Sequence, residues 1–154
     1  MKRGVDVSFL CQPPFPVEPT PEAVGAAKAF AMRKWTERHE ERTAEWERAL
    51  GSRPSWPAPE DLSSSCKFTS VFAAAVFGGH VEGNHDHQYA VVGGRVLDLN
   101  EDAADVLALD EPYRHDPAFF GSRDHRASME SCYPRVRAWL GEFAELVAAP
   151  SRRP

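Results

Sequence analysis

The alternation of apolar and polar residues divides the chain into three stretches, 1–62, 63–100 and 101–150. In the first, Val24, Ala27, Phe30, Ala31, Trp35, Thr43, Trp46 and Leu50 make an approximate apolar stripe at helical spacing. Thr20 stands where a cap is needed, Pro21 suits the first helical position, and Gly51 followed by Pro54 closes the helix. The charges between them (Arg33, Lys34, Glu37, Arg38, Glu40, Glu41, Arg42) are mixed in sign, which predicts a surface helix with a solvated face. Its second half is free to project from the body or to meet a partner. Ahead of it, Val5 to Cys11 reads as an edge strand and the prolines after it as an extended or turn-like segment. Behind it, Ser52 to Leu62 reads as a linker.

In the middle stretch Phe68, Val71, Phe72, Ala75 and Val76 recur on one face of a buried helix. Ser63, Ser64 and Ser65 are N-cap candidates, and Gly78 and Gly79 end the helix, so Cys66 falls in its first turn. A short strand over His80–Gly83 follows. Two further apolar runs separated by Gly93 and Gly94 predict a β-hairpin with a tight primed turn. A two-residue turn pairs Val92 with Arg95, Val91 with Val96, Tyr89 with Asp98 and His87 with Asn100. His87, Tyr89, Val91, Val96, Asp98 and Asn100 then share one face; Ala90, Val92, Leu97 and Leu99 share the other. Apolar residues on both faces predict helices over both.

The last stretch reads as helical, with a loop from Pro112 to Asp124 and a final helix beginning near Pro134. Val136, Leu140, Phe143 and Val147 give its stripe, supported by Trp139 and Leu146, and Ser151 to Pro154 read as a loose tail. The sum is a single α+β domain with a small antiparallel sheet, a central helix bearing Cys66, and extra N- and C-terminal helices.

The middle stretch also carries the chemistry. The first turn of a helix has unpaired N–H groups and the positive end of the dipole, both of which favour a thiolate. The same N–H groups can bind the oxyanion of a tetrahedral intermediate. In the predicted hairpin, Asp98 lies diagonal to His87, roughly 7 Å between Cβ atoms, within bridging reach of imidazole and carboxylate. A thiol, a base beside it and a third group orienting that base are the parts of a nucleophile site.

Cysteine at a helix start, a strand led by His, a glycine turn, and Arg95-Val96-Leu97-Asp98 ending the next strand resemble the core of the transglutaminase-like and papain-like cysteine enzymes. The resemblance covers residues 63–100. It implies that core fold and acyl transfer on a protein or peptide substrate without a cofactor, by a catalytic triad of Cys66, His87 and Asp98. The outcome is that of a thiol protease or other hydrolase, a deamidase or a transglutaminase. For the side chain completing the oxyanion hole the candidates are Gln12 and the serines before Cys66.

Other readings stay open. His85 shares the strand parity of His87, and a shift of two residues sets it opposite Asp102. Asp98 could cap the turn or helix that begins at Asn100–Asp102. His80, His85 and His87 with Cys66 or Asp98 form a zinc-compatible donor set, although no Cys-x-x-Cys or His-Glu-x-x-His is present. An inactive interaction module on the same fold is a third reading, binding through the charged helix and the prolines. Cys11, Cys132, His115 and His125 read as structural or exposed.

Composition narrows the setting. The 154 residues, 42% hydrophobic and 27% charged, are enough for one core. A net charge of −5 gives no global attraction to nucleic acid or an anionic membrane. No run approaches the roughly 20 apolar residues of a membrane span. Met1-Lys2-Arg3 is basic, but Asp6, Pro13, Pro14 and Pro16 interrupt any apolar leader, which predicts a cytoplasmic protein or one exported without a classical signal. Three cysteines are too few, and odd in number, for a disulfide-built fold.

Overall fold

The computed structural model describes residues 4–148. The basic start and the tail at Ser151 to Pro154 lie outside them. In chain order the elements are β1 (Val5–Asp6), a 3-10 turn (Ser8–Leu10), α1 (Pro21–Leu50), α2 (Cys66–Phe77), β2 (His80–Gly83), β3 (Gln88–Val92), β4 (Arg95–Leu97), α3 (Ala104–Leu107), α4 (Pro117–Phe120) and α5 (Arg123–Ala148). The four strands form one antiparallel sheet in the order β1-β2-β3-β4. This is an α+β architecture, as the pattern of helical and alternating stretches predicts.

α1 begins with the Thr20 side chain accepting from the Ala23 N–H at 3.1 Å and ends at Gly51 with φ 77°. Only its first half enters the core. Phe30 stacks on Phe72 of α2 and meets Phe143 of α5, with centroids 5.5 and 5.0 Å apart. Beyond Trp35 the residues buried in α1 reduce to Thr43, so the second half runs over the surface.

α2 is the central element. Thr69 to Phe77 are all buried, between the sheet on one side and α1 with α5 on the other. Phe72 sits edge-on to Trp139 and Phe143. Gly78 at φ 78° turns the chain out of α2 directly into β2.

Five expectations need correction. The edge strand stops at Asp6, because Val7 turns into the 3-10 helix that buries Leu10. The final helix starts at Arg123, not near Pro134. Pro134 lies inside α5, where helical packing of Met129, Cys132, Val136, Trp139, Leu140 and Phe143 outweighs the one backbone hydrogen bond that proline removes. Leu146 and Val147, expected in its stripe, are exposed. The segment from Pro112 to Asp124 contains α4, capped by Asp116 accepting from the Phe119 N–H, as well as the start of α5. Finally, the sheet is covered by α2 on the Ala90 face, while Tyr89 on the opposite face is met by Tyr113 from the loop between α3 and α4, centroids 5.2 Å apart. A loop replaces the second helix layer because four short strands offer that face too little apolar surface for one.

The hairpin register is the expected one, with Ala90, Val91 and Val92 opposite Leu97, Val96 and Arg95. Gly93 and Gly94 carry the positive φ values of the turn, 57° and 77°. β4 ends at Leu97, so the outermost pairs expected, Tyr89 with Asp98 and His87 with Asn100, lie past the paired segment.

Candidate active site

Cys66 is the first residue of α2 and is half-buried. Ser65 occupies the N-cap position, but its hydroxyl donates to Leu62 O at 2.6 Å and makes no cap to the helix. Ser63 and Ser64 are drawn to α3 instead. Asp105 N donates to the Ser63 hydroxyl and the Ser64 N–H to Asp105, at 3.3 and 2.7 Å. Phe68 N–H bonds Ser65 O, while among the described residues no side chain caps the Cys66 and Lys67 amides, which have the dipole of a three-turn helix behind them.

His87 precedes β3 at the end of a tight turn from Gly83. Asn84 builds that turn. Its Oδ1 accepts from the N–H groups of Asp86 and His87, its N–H donates to His87 O, and its Nδ2 donates to Arg114 O at 2.7 Å. Gly83 is needed here for close approach, since a Cβ would stand 2.4 Å from His87 O. The result is a buried imidazole, 2% exposed, whose direction is set by backbone.

The ring bridges the other two groups. Its Nε2 donates to Asp98 Oδ2 at 2.7 Å, and Cys66 lies near enough to act on its charge. With Nε2 given to Asp98, Nδ1 is the nitrogen left for the thiol. Burial works against charge on this ring, but the hydrogen bonds and charges of Asp98 and Cys66 overcome it and raise its pKa to about 9. At neutral pH it is an imidazolium held between two acidic groups.

Asp98 is itself locked. Its Oδ1 accepts from the Asn100 N–H at 2.9 Å, and its Oδ2 also accepts from the Tyr113 hydroxyl at 3.0 Å. Burial and the nearby Asp98 charge hold the Tyr113 phenol well above its usual pKa, so it stays a donor. Tyr89 in turn donates its hydroxyl to Tyr113 O at 2.6 Å. Asp98 thus caps its own turn and orients the histidine at once, because its two oxygens are divided between those tasks.

Asn100 does not face His87. It is fully buried and runs to the base of α2, where Nδ2 donates to Leu62 O and Ser65 Oγ, and Oδ1 accepts from Thr69 Oγ1 at 2.8 Å. It ties the end of the hairpin to the start of the Cys66 helix. Asn84 and Tyr113 are positioning residues that the sequence pattern did not single out, and Tyr89 and Asn100, which it set on the His87 face, act through these other contacts. The Gly83-Asn84 pair carries a turn signal; the others act across segments remote in sequence.

The remaining candidates lie elsewhere. His85 is exposed at 85% beside Asp86, so it is not placed to exchange with His87. His80 pairs with Glu82 at 2.7 Å on β2, and His115 Nδ1 accepts from the Gly83 N–H. The zinc set of His80, His85 and His87 is dispersed, and no group of three or more metal-ligating side chains occurs among the described residues. Gln12 is exposed at the far end of α2. Its neighbour Cys11 donates to Ala75 O at 3.3 Å, about 13 Å along the helix from Cys66, which rules Gln12 out of the oxyanion role. Cys132 is buried and its thiol is pushed up to about 11; burial raises Cys11 too. His125 is buried beside the Phe119 and Phe120 rings.

Among the described residues no helix is long and apolar enough to cross a membrane. No family model, no curated protein and no solved structure matches this chain.

Proposed function

We propose that the chain is a cysteine-dependent acyl-transfer enzyme on a papain-like or transglutaminase-like core, acting on a protein or peptide. The observation that carries this reading is one buried imidazole hydrogen-bonded to Asp98 and within electrostatic reach of Cys66, a thiol at a helix start whose N-cap side chain makes no cap.

The chemistry follows from that arrangement. Cys66 Sγ, its proton held by His87, attacks an amide or ester carbonyl and forms a C–S bond. The carbonyl oxygen takes the negative charge, which the backbone N–H groups at the start of α2 stabilise. The Ser63 and Ser65 hydroxyls are engaged and Gln12 is remote, which leaves these amides, with the exposed Ser64 hydroxyl beside them, as the donors. Collapse breaks the bond to the leaving group, which takes the proton from imidazolium and leaves a thioester. Water, deprotonated by the now neutral His87, then attacks the thioester and releases the acid and the thiol. Asp98 orients the ring and stabilises its charged form throughout. Hydrolysis is the favoured outcome, because water as acceptor needs no second binding site.

The test is alkylation with iodoacetamide at pH 7 followed by peptide mapping. Cys66 labels ahead of Cys11 and Cys132, and His87→Ala slows it by roughly 100-fold or more. Cys66→Ala abolishes turnover of peptide esters with the melting temperature nearly unchanged. An unreactive Cys66 in folded protein, or hydrolysis surviving Cys66→Ala, overturns the assignment and favours an inactive interaction module.

A further inference from the structure

The second half of α1, which contributes little to the core, borders a cavity of about 370 Å³ that the 52–62 linker closes from the other side. Trp35 and Trp56 are its apolar walls, Arg38 and Arg42 its cationic ones, and Ser63 and Ser64, three and two residues before Cys66 in the chain, also line it. Its volume falls within the range of small-ligand clefts.

The charges on this part of α1 are unevenly committed. Lys34 pairs with Glu37, Arg53 with Glu40 and Glu47, and Arg135 with Glu41. Arg38 and Arg42 make no ion pair among the described residues. Arg38 Nε is buried without a hydrogen-bond partner there, and its guanidinium lies 5.1 Å over the Phe68 ring. Arg42 lies 5.8 Å over the Trp56 ring. Glu41 and Glu45 act on Arg38 at longer range, against Arg135 and Arg42.

Two uncommitted guanidinium groups held by aromatic rings suit one carboxylate on a short apolar stem. An extended polyanion fits poorly, because Glu41 and Glu45 act on Arg38 from the same helix and the chain carries a net charge of −5. We propose that this cavity is a specificity subsite for an acidic residue of the acyl donor, with Arg38 and Arg42 taking the carboxylate and Trp35 and Trp56 covering its stem. The inference rests on the acyl-transfer reading and names the substrate class for it.

The experiment uses pairs of peptide acyloxymethyl ketones that differ only in glutamate or glutamine at the first or second residue before the reactive carbon. The glutamate member of one pair inactivates the protein about tenfold faster, the effect of one charge-assisted hydrogen bond. Arg38→Gln and Arg42→Gln each erase most of that preference and leave iodoacetamide labelling of Cys66 unchanged. Arg42 is exposed, so its variant folds even where Arg38→Gln does not. Equal rates for both pairs with normal iodoacetamide labelling, or a preference that survives Arg42→Gln, overturn the subsite alone. Failure of iodoacetamide labelling overturns the acyl-transfer reading alone. The cavity is then judged by tryptophan fluorescence of Cys66→Ala titrated with an acetyl-glutamyl peptide amide. A response lost in Arg42→Gln supports the subsite; no response, or tighter binding of inorganic phosphate at matched ionic strength, overturns it.

Discussion

The charge state of His87 is decided by its two neighbours. Burial alone would lower its pKa, and the raised value of about 9 depends first on Asp98 and then on Cys66. Replacing Asp98 by Asn keeps the side chain's shape but removes the charge. The His87 ring signal, followed by NMR through a pH titration, is therefore expected to shift its midpoint well below 9. A midpoint that stays near 9 in Asp98→Asn would show that Asp98 is not what holds the proton. Tyr113 offers a finer probe. Tyr113→Phe removes one of the hydrogen bonds on Asp98 Oδ2, which leaves more of that oxygen to His87 and moves the midpoint slightly upward.

At the scale of elements, the site depends on how the start of α2 is joined to the end of β4. That joint is Asn100, whose side chain reaches Leu62, Ser65 and Thr69 from within the protein. Asn100→Ala removes three buried hydrogen bonds and leaves a void at the base of α2, a cost of about 2–4 kcal/mol. Urea unfolding is expected to report it as a lower midpoint at unchanged slope, together with slower alkylation of Cys66, because the helix start shifts relative to His87. A loss of stability with full Cys66 reactivity would separate the joint from the site. Gly83→Ala should harm reactivity and stability together, since the added Cβ would stand 2.4 Å from His87 O and close to the Gln88 backbone and the buried Phe120 ring.

For the whole molecule, two buried histidines tilt stability in opposite directions. His87 has a raised pKa in the folded state, so its contribution is complete below about pH 6.5 and is lost as pH rises through about 9. His125 is held below its usual value, by burial and then by Lys67, so its contribution is present above about pH 6.5 and is lost as pH falls. Unfolding midpoints measured between pH 5 and 10 should therefore peak near pH 6.5–7. In Asp98→Asn the alkaline fall is expected to flatten while the acid fall stays. An alkaline limb identical in the two proteins would sink this account.

Much of this was legible along the chain, because it rests on short-range rules. The stripe of α1 with Thr20 and Gly51, the burial of α2, and the Gly93–Gly94 register follow from periodicity, caps and turn geometry acting within a few residues. That His87 and Asp98 meet was also within reach, since both flank a hairpin whose register the glycine turn sets. What the chain could not disclose is decided by contacts between distant segments. Pro134 continues a helix because α5 is packed against α2, and Asn100 abandons the hairpin face because the base of α2 offers it three partners. The uncommitted state of Arg38 and Arg42 emerges only after Arg53 and Arg135 have taken the neighbouring acids. Local pattern determines which elements form and where their reactive groups point. The choice of hydrogen-bond partners, and with it the protonation of His87, belongs to the packed tertiary structure, where burial makes each unmet polar group costly.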